Sequence, residues 1–209
     1  MKIREFYNKI ANEYSDATSH PTTASARKLE QDLTTQLTIE KRYNVIIDIG
    51  CGDSPFLRNV EANNKIGIDV SVEMIKLNSR YLPSAIYVLG QFSDIPLQHN
   101  IADLIHASFI LDHIKDIEEF FVKISKILKH NGHFILAEFN PESMLNFRGH
   151  EETLRYKSST GEIYEVHSNF NNLINLEERL RKCFCLKRAL TSEIGIEEIK
   201  INHYFMRNK

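Results

Sequence analysis

The chain alternates short apolar runs with longer segments in which apolar residues recur every three or four positions. Short runs bounded by glycine, proline, asparagine or aspartate predict buried strands, and the longer segments predict helices that cover a sheet. Seven sheet strands are predicted, at 45–47, at the run closed by Asp69, and at 85–89, 103–108, 133–139, 183–193 and 199–206. Because helices separate the first five strands, we expect a mostly parallel sheet in an α/β fold. No helix separates the last two, which makes the last strand antiparallel.

Two segments lie outside this alternation. Residues 1–42 predict two helices divided at Ser19–Thr22, each with one apolar stripe. Residues 141–170 contain a Ser-Ser-Thr-Gly turn followed by an alternating run, which predicts a hairpin inserted after the fifth strand. We expect the whole chain, 1–209, to form one domain with these two additions.

Composition and charge exclude several classes of protein. A length of 209 residues suits one α/β core and fits two domains poorly. The net charge of -2 gives no electrostatic reason to expect a nucleic acid or an anionic membrane as partner. No stretch reaches the ~20 apolar residues of a membrane span, and the N-terminus lacks a signal-peptide core, so a cytoplasmic protein is expected. Cys51, Cys183 and Cys185 form no disulfide or metal motif, and no metal site is expected.

The stretch 43–69 is the most informative part of the chain. Its first apolar run ends in a loop with two glycines, and its second ends at a carboxylate, Asp69. Glycines let the backbone approach a ligand, and a carboxylate roughly 20 residues later can bind a ribose diol, so the pattern predicts a nucleoside site. Pro55 stands where a dinucleotide loop has its third glycine, and Asp48 and Asp53 would repel a pyrophosphate. S-adenosylmethionine fits better, because it carries an ammonium and a sulfonium and has no phosphates.

Residues 45–57, Val-Ile-Ile-Asp-Ile-Gly-Cys-Gly-Asp-Ser-Pro-Phe-Leu, resemble the first motif of class I S-adenosylmethionine-dependent methyltransferases. Ser54 replaces the last glycine of that motif. The resemblance implies a Rossmann-like three-layer αβα sandwich with seven strands in the order 3-2-1-4-5-7-6. It also implies S-adenosylmethionine as cofactor and S-adenosylhomocysteine as product. The implied cofactor site consists of Tyr14, Asp48, Gly50, Cys51, Gly52, Ser54, Asp69, Val70, Gln91, Phe92 and Ser108.

A second motif of the same family is similar to residues 90–103, with Ile95, Pro96 and Leu97 in matching positions. Gln91 and Phe92 stand in place of the usual aspartate and alanine. In the family that aspartate accepts a hydrogen bond from the adenine amine, and a glutamine amide oxygen can also accept. Gln91 is therefore a candidate for adenine recognition, with a solvated loop amide as the alternative.

The loop after the fourth strand supplies candidate catalytic residues. Ligands of open parallel sheets bind at the carboxyl ends of the strands, where residues 108–113 fall. The resemblance places Asp112 and His113 near the transferable methyl group, where a histidine could remove a proton from an attacking hydroxyl. The alternative is that His113 only caps or packs the next helix.

The segment Phe6–Ala17 resembles an N-terminal family helix that closes over the cofactor as a lid. Tyr7 and Tyr14 are seven positions apart and share one face of the predicted helix. The resemblance makes Tyr7 a candidate substrate contact and Tyr14 a candidate cofactor contact and catalytic residue. Ordinary core packing explains the same spacing.

Candidate substrate residues lie at the end of the fifth strand and in the inserted hairpin. They are Glu138, Arg148, Arg155 and Lys157. A basic cap would favour an anionic substrate, because guanidinium groups bind oxyanions bidentately. The opposing interpretation is a solvated charged hairpin, since Glu151, Glu152, Glu162 and Glu165 balance the charge.

These observations predict in-line methyl transfer to a small molecule. The leading hypothesis is O-methylation of a small metabolite, which can be an anion. Alignment supplies most of the acceleration in such a reaction. The alternatives are a non-catalytic cofactor-binding protein, an N- or C-methyltransferase, and a macromolecule methyltransferase. The last is disfavoured because a basic tract is missing. A monomer or a homodimer is expected.

Overall fold

A seven-stranded sheet forms the centre of the molecule, with strand order β3-β2-β1-β4-β5-β9-β8. The computed structural model describes residues 1–14, 21–53, 55–148, 152–194 and 199–209, without the side chains of 146–148. The sheet strands are β1 (Tyr43–Ile49), β2 (Ala62–Asp69), β3 (Ile86–Leu89), β4 (Ala102–Ser108), β5 (Leu128–Phe139), β8 (Phe184–Glu193) and β9 (Lys200–Asn208). Strands β1 to β5 are parallel, and β9 is antiparallel to both β5 and β8. The predicted order, counted without the inserted hairpin, and the antiparallel last strand are confirmed.

Helices cover both faces of the sheet. Successive strand residues point to opposite faces, and apolar residues at successive positions therefore need a cover on each face. Ile46 and Ile47 of β1 are both fully buried, each in a different core. The core on the Ile47 side contains α5 (Ile117–Ile127) and α7 (Leu176–Cys183). The core on the Ile46 side contains α3 (Phe56–Asn59) and part of α2 (Pro21–Thr38). This is the predicted three-layer arrangement. The helices are α1 (Ile3–Ile10), α2 (Pro21–Thr38), α3 (Phe56–Asn59), α4 (Val72–Tyr81), α5 (Ile117–Ile127), α6 (Pro141–Arg148) and α7 (Leu176–Cys183).

A third, smaller core joins α1 to the predicted hairpin, which consists of β6 (Thr153–Lys157) and β7 (Ile163–His167). Phe6, Ile10, Tyr156 and Val166 are its buried members. The Tyr156 hydroxyl also donates to the carbonyl of Glu13 at 2.7 Å. We call α1 and this hairpin together the cap.

The structure differs from the sequence expectation at two boundaries. Strand β5 begins at Leu128 instead of at residue 133, and α5 ends at Ile127, because the fully buried Leu128 already pairs with Ala102 in the sheet. Helix α6 precedes the inserted hairpin, where only the hairpin was predicted. Among the described residues, no helix combines the length and apolarity that crossing a membrane requires.

Candidate active site

A cavity of about 540 Å³ opens at the carboxyl ends of β1, β2 and β4. We call it the large cavity, and its volume is typical of a small-molecule site. Most of the predicted cofactor residues line it, namely Tyr14, Gly50, Cys51, Gly52, Asp69, Val70, Gln91, Phe92 and Ser108. Ser54 lies outside the described residues. Asp48 is described and does not line the cavity.

The loop after β1, residues 50–53, lies close to the loop that follows β4. We call residues 50–53 the glycine loop. Gly50 has φ of +68°, and a Cβ added there would be 2.6 Å from the Cγ2 atom of Ile110. The amides of Gly50 and Cys51 both donate to the carbonyl of Ile68. Glycine at position 50 is thus required both by its left-handed backbone and by the close neighbour.

Asp69 ends β2 at the rim of the large cavity. Its Oδ2 accepts from the amide of Gly52 and its Oδ1 from the amide of Ser71, each at 2.8 Å. Burial raises the pKa of Asp69 to about 6, although these amides oppose the rise. The carboxylate is therefore charged at neutral pH and is fixed in place, with lone pairs left for a ligand hydroxyl.

Asp48 instead belongs to a buried network behind the glycine loop. Its Oδ1 is 2.7 Å from Nδ1 of His106, whose Nε2 is 2.8 Å from Oε1 of Glu30 on α2. Burial lowers the pKa of His106, but the two carboxylates outweigh it and raise the value to about 10. His106 is therefore an imidazolium that donates to both acids. The ring of Phe56 stacks on it at 4.2 Å.

Two basic residues near the large cavity had no sequence signal. Arg27 of α2 forms an ion pair with Asp53 of the glycine loop at 2.5 Å. Lys123 of α5 donates to the carbonyls of Phe92, Ser93 and Ile95 at 2.6 to 2.8 Å. Only the folded chain brings this lysine and the three carbonyl groups together.

A second cavity of about 320 Å³ lies between the cap and the carboxyl end of β5. We call it the inner cavity. Seven aromatic residues contribute to its walls, namely Phe6, Tyr7, Tyr14, Phe109, Phe139, Tyr156 and Phe170. The two cavities share Tyr7, Tyr14, Arg27, Phe109 and His113. A molecule in one cavity can therefore meet a molecule in the other across these residues.

Tyr7 and His113 are in direct contact at this boundary. The Tyr7 hydroxyl is 3.0 Å from Nε2 of His113, and Nδ1 of the same ring is 3.1 Å from the carbonyl of His167. Because a carbonyl can only accept, Nδ1 donates to it, and Nε2 is then the nitrogen that can accept from the Tyr7 hydroxyl. Burial raises the pKa of Tyr7 well above its ordinary value. Tyr14 stands beside Tyr7, with ring centroids 5.7 Å apart.

Two carboxylates complete the inner cavity. Asp112 accepts from the hydroxyl of Ser168 at 2.5 Å, which connects the loop after β4 to the end of the hairpin. Glu138 is 1% exposed, and its Oε1 accepts from the amides of Ile110 and Leu111, each at 2.9 Å. Burial, and after it the neighbouring Asp112, raise the pKa of Glu138 to about 8, although the two amides oppose the rise.

The predicted basic substrate residues are dispersed. Arg155 lines the inner cavity and pairs with Glu165 at 2.8 Å on the exposed side of the hairpin. Lys157 is exposed and lines neither cavity. Arg148 ends α6, and its side chain lies outside the described part of the chain.

Comparisons with known proteins agree with this geometry. Residues 47–136 match the family model described as a methyltransferase domain. An uncharacterised protein of Methanocaldococcus jannaschii is 23% identical over 87% of this chain and 75% of its own length. A demethylmenaquinone methyltransferase of Renibacterium salmoninarum is 21% identical over 70% of this chain and 62% of its own length.

A similar fold is found among solved structures. The N-methyltransferase NodS of Bradyrhizobium japonicum, in complex with S-adenosylhomocysteine, superposes with a TM-score of 0.68 at 11% identity, covering 97% of this chain and 98% of NodS. At that identity the likeness concerns the fold, and it includes the sheet that positions both cavities.

Proposed function

We propose that this chain, which is a class I S-adenosylmethionine-dependent methyltransferase, transfers the methyl group to a hydroxyl oxygen of a small molecule. The cofactor would occupy the large cavity, and the acceptor the inner cavity. The observation that carries this proposal is the hydrogen bond between Tyr7 and His113, because it lies where the two cavities meet.

The residues of the large cavity fit the cofactor. Asp69 presents a fixed carboxylate to a ribose diol, and the bare backbone at Gly50 provides the close approach that a side chain would block. Gln91 and Phe92 begin the turn that we assign to the adenine of the cofactor, and Lys123 fixes that turn by a hydrogen bond to the carbonyl of Phe92. When bound, S-adenosylmethionine supplies a methyl group already activated by a positively charged sulfur.

Tyr7 and His113 would remove the proton of the acceptor. As the new oxygen–carbon bond forms and the sulfur–carbon bond breaks, the acceptor proton passes to the Tyr7 oxygen, and the Tyr7 proton passes to Nε2 of His113. Because its pKa is raised by burial, Tyr7 would pass its proton in concert and not stand as a phenolate. The ring already has the tautomer that this step needs, since His167 holds the proton on Nδ1.

A proton acceptor in this position favours a hydroxyl over a carboxylate nucleophile. A carboxylate is already ionised at neutral pH and gains almost nothing from a base, whereas a hydroxyl gains about 10²- to 10⁴-fold. Selection of an anionic acceptor finds less support, because Arg155 already pairs with Glu165. An anionic group could reach Arg155 only at the hairpin side of the inner cavity.

The test combines calorimetry with transfer of a labelled methyl group. The wild-type protein should bind S-adenosylhomocysteine and label a hydroxyl compound in a panel of small metabolites. Tyr7→Phe and His113→Gln should each lower kcat about 10²-fold or more with unchanged affinity for S-adenosylhomocysteine. The exposed His99→Gln is the matched control.

Two results would contradict the proposal. One is wild-type protein that binds no S-adenosylhomocysteine, and the other is kcat that stays the same in both site variants. Replacing Arg148, Arg155 and Lys157 one at a time tests anion selection separately, because a rise in KM for the labelled acceptor is expected only if the acceptor is an anion.

A further inference from the structure

Glu138 has a carboxyl oxygen that no described group satisfies. Its Oε1 accepts two backbone amides, while Oε2 accepts no hydrogen bond from the described residues. The side chain is 99% buried and lines the inner cavity. Oε2 is not among the fully enclosed unpaired atoms and faces the inner cavity, so a hydrogen-bond donor that enters the cavity can reach it.

The charge around Glu138 makes that donor a cation. Asp112 lines the same cavity and raises the pKa of Glu138. The two arginines that line the cavity have carboxylates of their own, since Arg27 pairs with Asp53 and Arg155 with Glu165. Within the described ranges, no lysine or arginine nitrogen lies within 4.0 Å of the Glu138 or Asp112 carboxylate.

The remaining walls suit a cation as well. The Tyr7 and Tyr14 rings meet edge to face, and the Phe109 and Phe139 rings lie with centroids 4.8 Å apart. Aromatic faces attract ammonium groups, most strongly where water is excluded. Two acids enclosed by aromatic rings are thus matched to a primary or secondary ammonium in hydrogen bonding and surface. They match it in charge as well once Glu138 releases its proton, because a bound cation lowers its raised pKa.

We propose that the inner cavity binds an ammonium group of the methyl acceptor, held by Glu138 and Asp112 between the aromatic walls. The inference deepens the proposed function and rests on it: the ammonium anchors the acceptor, and a hydroxyl of the same molecule faces Tyr7. Oε2 of Glu138 accepts from the ammonium, while Oε1 keeps its two amides.

Three probes of similar shape and different charge test the site: 2-phenylethylamine, 2-phenylethanol and phenylacetate. Binding of each to the full chain is measured by calorimetry in saturating S-adenosylhomocysteine. The amine should bind at least about 10-fold more tightly than the alcohol, and the carboxylate most weakly, because a desolvated charge pair contributes more than a neutral contact.

Variants locate the effect. Glu138→Gln keeps an oxygen for the two amides but cannot ionise when a cation binds, so it should weaken amine binding about 10-fold or more and leave alcohol binding unchanged. Asp112→Asn should act in the same direction. Glu142→Gln, an exposed acid on α6, is the control and should change neither. Thermal unfolding and S-adenosylhomocysteine affinity verify that each variant is folded.

The outcomes separate the two proposals. If the wild-type protein binds S-adenosylhomocysteine but prefers the alcohol or the carboxylate, the ammonium site is wrong and the methyltransferase assignment stands. The same holds if a folded Glu138→Gln binds the amine as the wild type does. If the wild type binds no S-adenosylhomocysteine, the proposed function itself fails.

Discussion

His106 of β4 and Glu30 of α2 are joined by a hydrogen bond of 2.8 Å that is buried at both ends. Asp48, directly before the glycine loop, binds the other nitrogen of the same ring. Thr34, one turn after Glu30, donates to Glu30 at 2.7 Å. Helix α2 is thereby tied to the strands that carry the large cavity through charge as well as apolar contact.

We predict that this network makes stability fall with rising pH. The folded-state pKa of His106, about 10, exceeds its unfolded value near 6.5, so its contribution is complete below about pH 6.5 and is lost as pH rises through 10. The free energy of unfolding should fall by up to about 1.4 kcal/mol per pH unit in that window.

Denaturant unfolding of the wild type and His106→Gln from pH 6.5 to 10 measures this effect. The variant should be less stable by about 3–5 kcal/mol near pH 7, because two buried carboxylates lose their cation. Glu138 also has a shifted pKa, but it is present in both proteins and cancels in the difference. A stability difference that stays constant across the pH range would show that His106 is not the titrating group.

Gly50→Ala should abolish cofactor binding while the protein remains folded. The new methyl group would enter a left-handed backbone and meet Ile110 at 2.6 Å. Gly161→Ala is a matched control, since Gly161 also has positive φ, at +88°, but has no atom within 4 Å of an added Cβ. Both should cost about 1–2 kcal/mol in backbone strain.

Only Gly50→Ala should lower S-adenosylhomocysteine affinity in calorimetry. Adding Ile110→Ala to it should restore part of the binding, because the clashing Cγ2 atom is removed. If Gly161→Ala weakened binding equally, general destabilisation would explain the result, and close approach at Gly50 would not.

Lys123→Met should weaken S-adenosylhomocysteine binding. The lysine holds three carbonyls of the turn at 92–95 and lies 4.9 Å over the Phe92 ring, so its loss frees a turn that borders the large cavity. Hydrogen bonds to a charged group contribute about 1.5–3 kcal/mol each, and a loss of about 10-fold in affinity is expected. Lys126→Met, on the exposed side of the same helix, should bind normally in the same calorimetric titration.

Asp69→Ala should weaken S-adenosylhomocysteine binding by about 10-fold or more, because a fixed carboxylate on the cavity rim is lost. Asp48→Ala should weaken it too, but through the His106 network, and it should lower the unfolding midpoint more than Asp69→Ala does. Calorimetry and thermal unfolding of both variants decide this, with the exposed Glu61→Ala as control. Unchanged affinity in both aspartate variants would refute the cofactor site.

Much of the fold could be predicted because its signals are local. The apolar run before Gly50 and the alternation in β9 predict strands by their period, and the missing helix between β8 and β9 predicts the antiparallel edge. Boundaries set by distant pairing could not be predicted in the same way. The strand predicted at 133–139 begins at Leu128, because Leu128 pairs with the distant Ala102.

The architecture and the loop motif could be predicted from the sequence, since glycine spacing and a strand-ending carboxylate are properties of neighbouring residues. Folding set the contacts of the polar side chains. It joined Tyr7 to His113 across 106 positions and assigned Asp48 to a buried imidazolium instead of a cavity wall. Charge pairing depends on which groups burial brings within about 4 Å, and the order of residues along a chain does not specify that distance.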